Sequence, residues 1–297
     1  MRTIDLDALQ IFKTVVEEGG VIRASRKLNR VQSNVTTRIR QLEEHLGARL
    51  FRREGRSLAL SAQGQTLLVY ADRLLRLADE AVGEMRTGKP KGVFRLGSLE
   101  STAGSRLAPI LARYHALYPD VVVELATGTA TALVTRVTNY ELEAAFVSEP
   151  FTAPGLEARA VFEERLVLIT SKAIRNVSGP ADLGRSTLIA FAQGCSYRRR
   201  VEEWLGGERV MPERVLEFAS YQAMIACVAA GTGFAVVPKS VLESLRATRS
   251  VRQHALPDRI SQNRTHIVWN GDPSPAVAGL FAALAKVGGN GPARAVI

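Results

Sequence analysis

The sequence predicts an α+β N-terminal part, a winged helix-turn-helix, followed by one long linker helix and a larger α/β part. Three observations predict it. Residues 23–61, RASRKLNRVQSNVTTRIRQLEEHLGARLFRREGRSLALS, set a short basic segment before a longer amphipathic helix, then a basic turn between short apolar runs. From Ser61 apolar residues recur alternately four and three apart. After Gly88-Lys89-Pro90-Lys91-Gly92, short apolar strands alternate with helical patterns almost to the C terminus.

Length and charge bound the reading. A chain of 297 residues holds two domains, or three if one is small. The 39 Lys and Arg exceed the 29 Asp and Glu, a net charge of +10. Such a balance fits DNA, RNA, a membrane surface or acidic proteins, so its distribution matters more. Arg23, Arg26, Lys27, Arg30, Arg38, Arg40, Arg49, Arg52, Arg53 and Arg56 face only Glu43, Glu44 and Glu54. Cys195 and Cys227 form no CxxC or CxxH pattern, so neither a zinc site nor a disulfide framework is expected. The opening MRTIDLDALQ is acidic and mixed, unlike a secretory signal, and AMIACVAAGTGFAVVP is too short and glycine-rich to span a bilayer. A cytoplasmic protein with no membrane partner and no cofactor is expected.

In chain order, Asp5 caps a first helix that turns Leu9, Phe12, Val15 and Val16 inward and ends at Gly19-Gly20. Residues 23–28 form a short second helix, and Asn29-Arg30 the turn. A third helix starts at Val31, buries Val35, Ile39, Leu42 and Leu46, and stops at Gly47. Its other face carries Ser33, Thr36, Thr37 and Arg40, with Gln32 at the exposed start. Short polar side chains there can approach base edges, and an arginine further along can reach phosphate. Residues 50–51 and 58–60 read as strands of a wing whose tip is 52–57. The long helix carries Leu67, Ala71, Leu74, Ala78, Ala81 and Met85 as a dimerisation seam, widened by Leu68, Leu75 and Val82. Beyond the hinge, strands at 93–97, 121–125, 144–147, 166–170, 188–191, 215–218, 234–237 and 267–269 alternate with helices at 130–137, 197–205, 221–230 and 275–287. One more helix carries Leu107, Ile110, Leu111 and Tyr114. That alternation implies a parallel sheet. A frayed tail follows Gly288.

These residues carry a resemblance. FKTVVEEGG (12–20), RASRKLN (23–29), VQSNVTTRIRQLEEHLGARLFRR (31–53) and LSAQG (60–64) resemble the LysR-type transcriptional regulators. LAPILARYHALYPDVVVEL and GTGFAVVP look like that family's effector domain, so the likeness covers nearly the whole chain. LNRVQSNVTTRI, GSLEST and FAQGCSYRRR look like its glutamate-regulator-like branch. The resemblance implies a periplasmic-binding-protein-like effector domain of two lobes (93–162 with 268–297, and 163–267) enclosing a small molecule. It also implies a DNA-binding domain at 1–60, a linker helix at 61–88 and a hinge at 89–92. Homodimers or homotetramers would bind imperfect inverted repeats in double-stranded DNA, with RNA polymerase as a further partner. By position, Gln32, Ser33, Thr36 and Thr37 would face bases. Arg38 and Arg40 would serve the backbone, Arg52 and Arg53 would lie in the wing, and Arg23 and Arg30 would join the DNA-binding set. Departures from the family pattern are Gly20-Val21 for Ser-Phe, Asn34 for Ala or Pro, and Val31 for a capping Ser or Thr. The last shifts the expected helix cap to Gln32 or Ser33.

In such a fold the effector cleft lies where strands end and helices begin. Ser98, Glu100, Ser101 and Thr102 follow the first strand, and Thr127 and Thr129 the second. In the other lobe Cys195, Ser196 and Arg198 follow residues 188–191. Arg198 would hold a small carboxylate, whereas Glu100 would welcome an amine, so amino acids, small carboxylates and polyamines all stand. Two other functions compete. An enzyme would use Cys195 or Ser196 as nucleophile, but His45, His115, His254 and His266 sit in no motif with either. No G-x-S-x-G, P-loop or HExxH occurs. A solute-binding protein with a fused adaptor would need an export signal.

Overall fold

The computed structural model describes residues 4–54, 57–87 and 90–285, without the side chains of 53, 54, 57, 80 and 83–87. Two compact units divide between Lys89 and Pro90.

The first unit is built from α1 (Leu6–Glu17), α2 (Val21–Lys27), α3 (Gln32–Leu46), β1 (Phe51–Glu54), β2 (Ser57–Leu60) and α4 (Ala62–Thr87). Asp5 caps α1 by accepting from the Asp7 amide at 3.0 Å. Leu9, Ile11 and Phe12 are fully buried against Ala24, Val35, Ile39 and Leu42. Each large apolar side chain so buried contributes about 1.5–3 kcal/mol. Helix α2 begins two residues before the expected Arg23. Asn29 (φ 51) makes the left-handed turn into α3, and Gly47 (φ 64) ends that helix. The cap expected from Gln32 or Ser33 is not made: Val31 occupies the cap position and offers no side-chain acceptor.

Glu43 joins α3 to the wing. Its buried carboxylate accepts from the Leu50 amide at 2.8 Å and the Phe51 amide at 3.4 Å, and it pairs with Arg49 at 3.0 Å. Ser61 caps α4, accepting from the Gly64 amide at 2.9 Å while donating to the Arg49 carbonyl. Gly64 is required by closeness: a Cβ there would stand 2.1 Å from the Leu50 carbonyl oxygen. The predicted seam of α4 divides. Leu67 and Ala71, with Leu68 and Leu75, pack into the core of their own domain. The larger apolar residues left outward are Val69, Tyr70, Leu74, Leu77 and Val82, and with Ala81 the run Tyr70, Leu74, Leu77, Ala81 is again four, three and four apart. The side chain of Met85 lies outside the description, as do residues 88 and 89 of the expected hinge. Its last residue, Gly92, already opens a strand.

The second unit starts with β3 (Gly92–Ser98) and a helical run of α5 (Glu100–Thr102), a π-helical turn (Ala103–Leu107) and α6 (Ala108–Leu117). Then come β4 (Val121–Thr127), α7 (Ala130–Thr138), β5 (Ala144–Ser148) and β6 (Glu157–Thr170). A 3₁₀ turn (Pro180–Leu183), β7 (Thr187–Ala190), α8 (Ser196–Gly207), β8 (Arg214–Glu217), α9 (Tyr221–Ala229) and β9 (Ala235–Pro238) follow. The order closes with α10 (Lys239–Ser244), β10 (Arg252–His254), α11 (Asp258–Ser261), β11 (Gln262–Trp269) and α12 (Pro275–Ala285). The sheet is mixed, not parallel as the alternation implied. β4 and β5 flank β3 in parallel, but β11 runs antiparallel to β5 and β6, and β6 antiparallel to β9 and β10. β7 and β8 form a separate parallel pair.

β6 serves both lobes. Glu157 to Arg165 pair with β11, while Leu166 to Ile169 pair with β9. The crossing therefore lies at Arg165/Leu166, not 162/163. β11 lies with the first lobe from Gln262, not from 268, and its Ile267 is in the core formed by Phe94, Leu96, Tyr114 and Phe146. The second lobe buries Leu166, Leu168, Leu188, Trp204, Val228 and Phe234 together. The short elements α10, β10 and α11 have no predicted counterpart.

His254 on β10 is buried, with Nε2 2.8 Å from the Thr170 hydroxyl of β6. Burial, aided by Arg252, holds its pKa below the ordinary value, so the fold favours neutral imidazole. The unfolded chain takes up the proton first as pH falls below about 6.5, and stability declines from there toward the depressed folded value. Thermal unfolding between about pH 7.5 and 5.5 should lose stability more steeply in the native chain than in His254→Gln. Parallel profiles would show that this histidine carries none of the effect.

Candidate functional site

The first unit presents a polar helix face. Gln32, Ser33, Asn34, Thr37 and Arg40 are exposed on α3, while Thr36 is half-buried and donates to the Gln32 carbonyl at 2.9 Å. The cations expected beside this face are not all available. Arg30 makes a bidentate pair with Asp7, at 2.9 and 2.7 Å, and Arg38 reaches Asp7 at 3.2 Å and Asp5 at 3.3 Å. The bond from Arg30 holds the Asp7 carboxyl below its ordinary pKa, with Arg38 adding to it. Arg23 donates to the Glu18 carbonyl. Arg52 lies on β1 and has an interaction of its own; the side chain of Arg53 and all of Arg56 lie outside the description. Among the described residues, Arg40 and Arg26 have no acidic partner. Asp5 and Asp7 are the functional neighbours that sequence reasoning missed. Their signal was two carboxylates at a helix start, read only as capping.

The second unit places the expected effector residues unequally. Glu100, Ser101, Thr129, Cys195 and Ser196 line one small cleft between the lobes, together with Phe191, Tyr197 and Tyr221. It encloses about 20 Å³, room for about one water. The lobes meet across it. The Tyr197 hydroxyl lies 3.5 Å from the Ser101 hydroxyl, and the Tyr221 backbone N–H donates to the Glu100 carboxylate. The Thr131 amide donates to the Gly194 carbonyl at 3.5 Å. Burial pushes the Tyr197 phenol up to about 12 and raises Tyr221 well above its ordinary value, so both stay protonated donors. Glu100 is likewise raised by burial.

The other expected residues do not face the cleft. Ser98 is buried and donates to the Leu99 carbonyl, Thr102 is buried behind it, and Thr127 is exposed at the end of β4. Arg198 turns into its own lobe, bonded to Glu202, Glu217 and the Phe191 carbonyl. It is not the carboxylate anchor that its position beside a helix start suggested. Tyr221 was missed, although it opens a helix after a strand as the other cleft residues do. Beside the cleft, a chamber of about 360 Å³ is lined by Thr131, Phe151, Gln193 and Arg199 and shares Cys195 and Ser196 with it. Burial pushes the Cys195 thiol up, the reverse of what a nucleophile needs.

Residues 6–65 match the model of the bacterial regulatory helix-turn-helix proteins of the lysR family, and residues 87–288 that of the LysR substrate binding domain. The chain belongs to the LysR family of transcriptional regulators. It is therefore a DNA-binding regulator with an effector domain, not an enzyme, and the nucleophile reading of Cys195 or Ser196 falls. It is 37% identical to the HTH-type transcriptional regulator GltR of Bacillus subtilis (strain 168), over 87% of this chain and 88% of that one. Among solved structures, ArgP from Mycobacterium tuberculosis superposes with a TM-score of 0.74 at 18% identity, covering 97% of this chain and 98% of that one. Full-length CbnR in complex with its target DNA gives 0.66 at 21% identity, over 95% and 99%. At those identities the likeness is one of fold.

Asp5 and Asp7 hold the guanidinium groups of Arg30 and Arg38, two residues expected from sequence in the DNA-binding set. Asp7→Asn should free Arg30 and leave Arg38 with Asp5 as its one acidic partner. Anisotropy titrations across salt should then show tighter binding to all DNA sequences, and a salt slope steeper by about one unit for each further phosphate neutralised. An unchanged slope would place Arg30 away from DNA.

Proposed function

We propose that this LysR-type regulator reads DNA as a homodimer or homotetramer through the outward face of α3, under control of a small effector held between the two lobes. The observation that carries this reading is the exposed polar start of α3, with Gln32, Ser33, Thr37 and Arg40 on one face above a buried stripe of Val35, Ile39 and Leu42. That is the arrangement in which a recognition helix enters a major groove, and CbnR, of similar fold, is known with its target DNA. The short side chains suit base edges, and Arg40 suits phosphate. No helix among the described residues is long and apolar enough to cross a membrane. We assign the protein to the cytoplasm, where DNA and RNA polymerase are.

Dimerisation is assigned to α4. Leu77 is 60% exposed and Leu74 38%, with Tyr70 and Ala81 continuing the stripe. A four-three-four apolar spacing on a 26-residue helix suits a second copy of the same helix. The effector is assigned to the cleft of Glu100, Ser101, Tyr197 and Tyr221, where amino acids, small carboxylates and polyamines remain the candidate classes. The two lobes meet through these residues, so binding there would exchange protein contacts for ligand contacts, which is how an effector biases two lobe arrangements.

Gel-shift and anisotropy measurements on genomic fragments test the DNA reading. Thr37→Ala should change sequence preference, and Arg40→Ala should weaken binding to all sequences and lower the salt slope by about one; no change in either would remove α3 from the interface. Leu77→Glu would bring two like charges together in the dimer while costing an isolated domain little. Sedimentation should then find monomers, and an oligomer of native size would exclude this stripe.

A further inference from the structure

The effector cleft carries one formal charge, and it is negative. Among the described residues, Glu100 is the only acidic or basic side chain lining it, with no Lys, Arg or His beside it. None of the three arginines at the start of α8 lines the cleft: Arg198, the carboxylate anchor expected from sequence, and Arg200 are engaged elsewhere, and Arg199 lines the adjoining chamber with Glu202. Arg198 is paired with Glu202 and Glu217, and Arg199 with Glu203 at 2.8 Å. Arg200 reaches across to the carbonyls of Glu149 at 3.2 Å, Arg259 at 3.1 Å and Gln262 at 3.0 Å. Glu100 itself has no cationic partner among the described residues; one backbone N–H, from Tyr221, is what it receives.

Its surroundings are aromatic. The rings of Phe191 and Tyr221 lie 4.7 Å apart at 53°, and both line the cleft, with Tyr197 beside them. A carboxylate among ring faces and hydroxyls is the combination that receives an ammonium group. The carboxylate gives a charge-assisted hydrogen bond, the rings offer their negative faces, and a hydroxyl takes a remaining N–H. An anion placed here would meet a like charge, and no cation lines the cleft itself; in the adjoining chamber Arg199 is matched by Glu202. The chamber of about 360 Å³ that shares Cys195 and Ser196 with the cleft supplies room for the remainder of a small molecule.

We propose that the effector is an organic cation whose primary ammonium sits against Glu100 beside the paired rings of Phe191 and Tyr221, with its body in the adjoining chamber. This rests on the cleft being the effector site. The raised pKa of Glu100 agrees with a half-buried carboxylate that lacks a cationic partner.

Calorimetry on the full-length protein with pairs of probes of matched skeleton tests it: cadaverine against glutarate, and tyramine against 4-hydroxyphenylacetate. At least one amine should bind, and its matched acid at least about tenfold more weakly. Glu100→Gln should weaken the amine by about tenfold or more, and Glu100→Asp, which keeps the charge, by less. These factors are those expected for a lost charge-assisted hydrogen bond. The melting temperature of ligand-free Glu100→Gln should equal or exceed that of the native chain, because a buried charge without a cation is removed, and this separates loss of binding from loss of fold. Failure of every amine to bind overturns the proposal. So does an acid that binds more tightly than its amine and gains further in Glu100→Gln, but that result keeps the cleft as the effector site. Amine binding indifferent both to Glu100→Gln and to Ser101→Leu, which fills the cleft, overturns the cleft assignment as well.

Discussion

Strand β6 is hydrogen-bonded into both lobes of the effector domain, and every contact across the cleft depends on that. Its first part is held by β11, and its second by β9 and β10, with no loop between. At the crossing, the buried carboxylate of Glu164 accepts from Arg106 in the π-helical turn at 2.8 Å and from Ser240 on α10 at 2.7 Å, so one side chain ties both lobes to the shared strand. A buried carboxylate is tolerated only when so satisfied. With the crossing fixed, the lobes can change their angle only by small torsions along β6 and β11, and cleft contacts such as Ser101 with Tyr197 are made or broken together.

The cleft and the crossing are connected through polar side chains. Asn263, beside Glu164 on β11, donates to the Ser148 hydroxyl at 2.7 Å, and Ser148 also bonds the Tyr197 phenol. Tyr197 in turn lies against Ser101. A ligand that displaces Tyr197 therefore acts on the strands that set the lobe angle through a hydrogen-bonded chain. Because its members are buried, displacing one obliges the others to find new partners.

Much of this architecture was legible, for reasons that differ by element. The DNA-binding unit was clear because its helices have strong periodicity, Asp5 and Gly47 mark ends physically, and the wing is bounded by charges. The alternation of strands and helices in the second unit was also clear, but strand direction was not. Whether β6 runs against β11 is decided by residues a hundred positions apart, and no local pattern records it. In the cleft, Glu100, Ser101 and Ser196 were found because they follow strands and open helices. Arg198 follows the same rule and points elsewhere, since Glu202 lies one turn along its helix and Glu217 on the neighbouring strand, and both pair with it. Arg30 and Arg38 also turned out to be paired, but with Asp7, which is distant in sequence and adjacent across the helices. Charge counts identify a basic region without saying which cations are already neutralised.

Helix α4 has two obligations on one cylinder. Leu67, Ala71 and Leu75 lock it to the DNA-binding core, and Tyr70, Leu74, Leu77 and Ala81 point away. Each residue of an α-helix advances by about 100°, so the angle between these two faces is a phase written into the count of residues. Insertion or loss of a single residue within the overlap would swing the recognition helix around the helix axis by roughly a quarter turn relative to whatever covers the outward stripe. For a protein that must present paired reading heads at a set separation along a double helix, the number of residues in this stretch is as much a determinant of its operator as the side chains on α3.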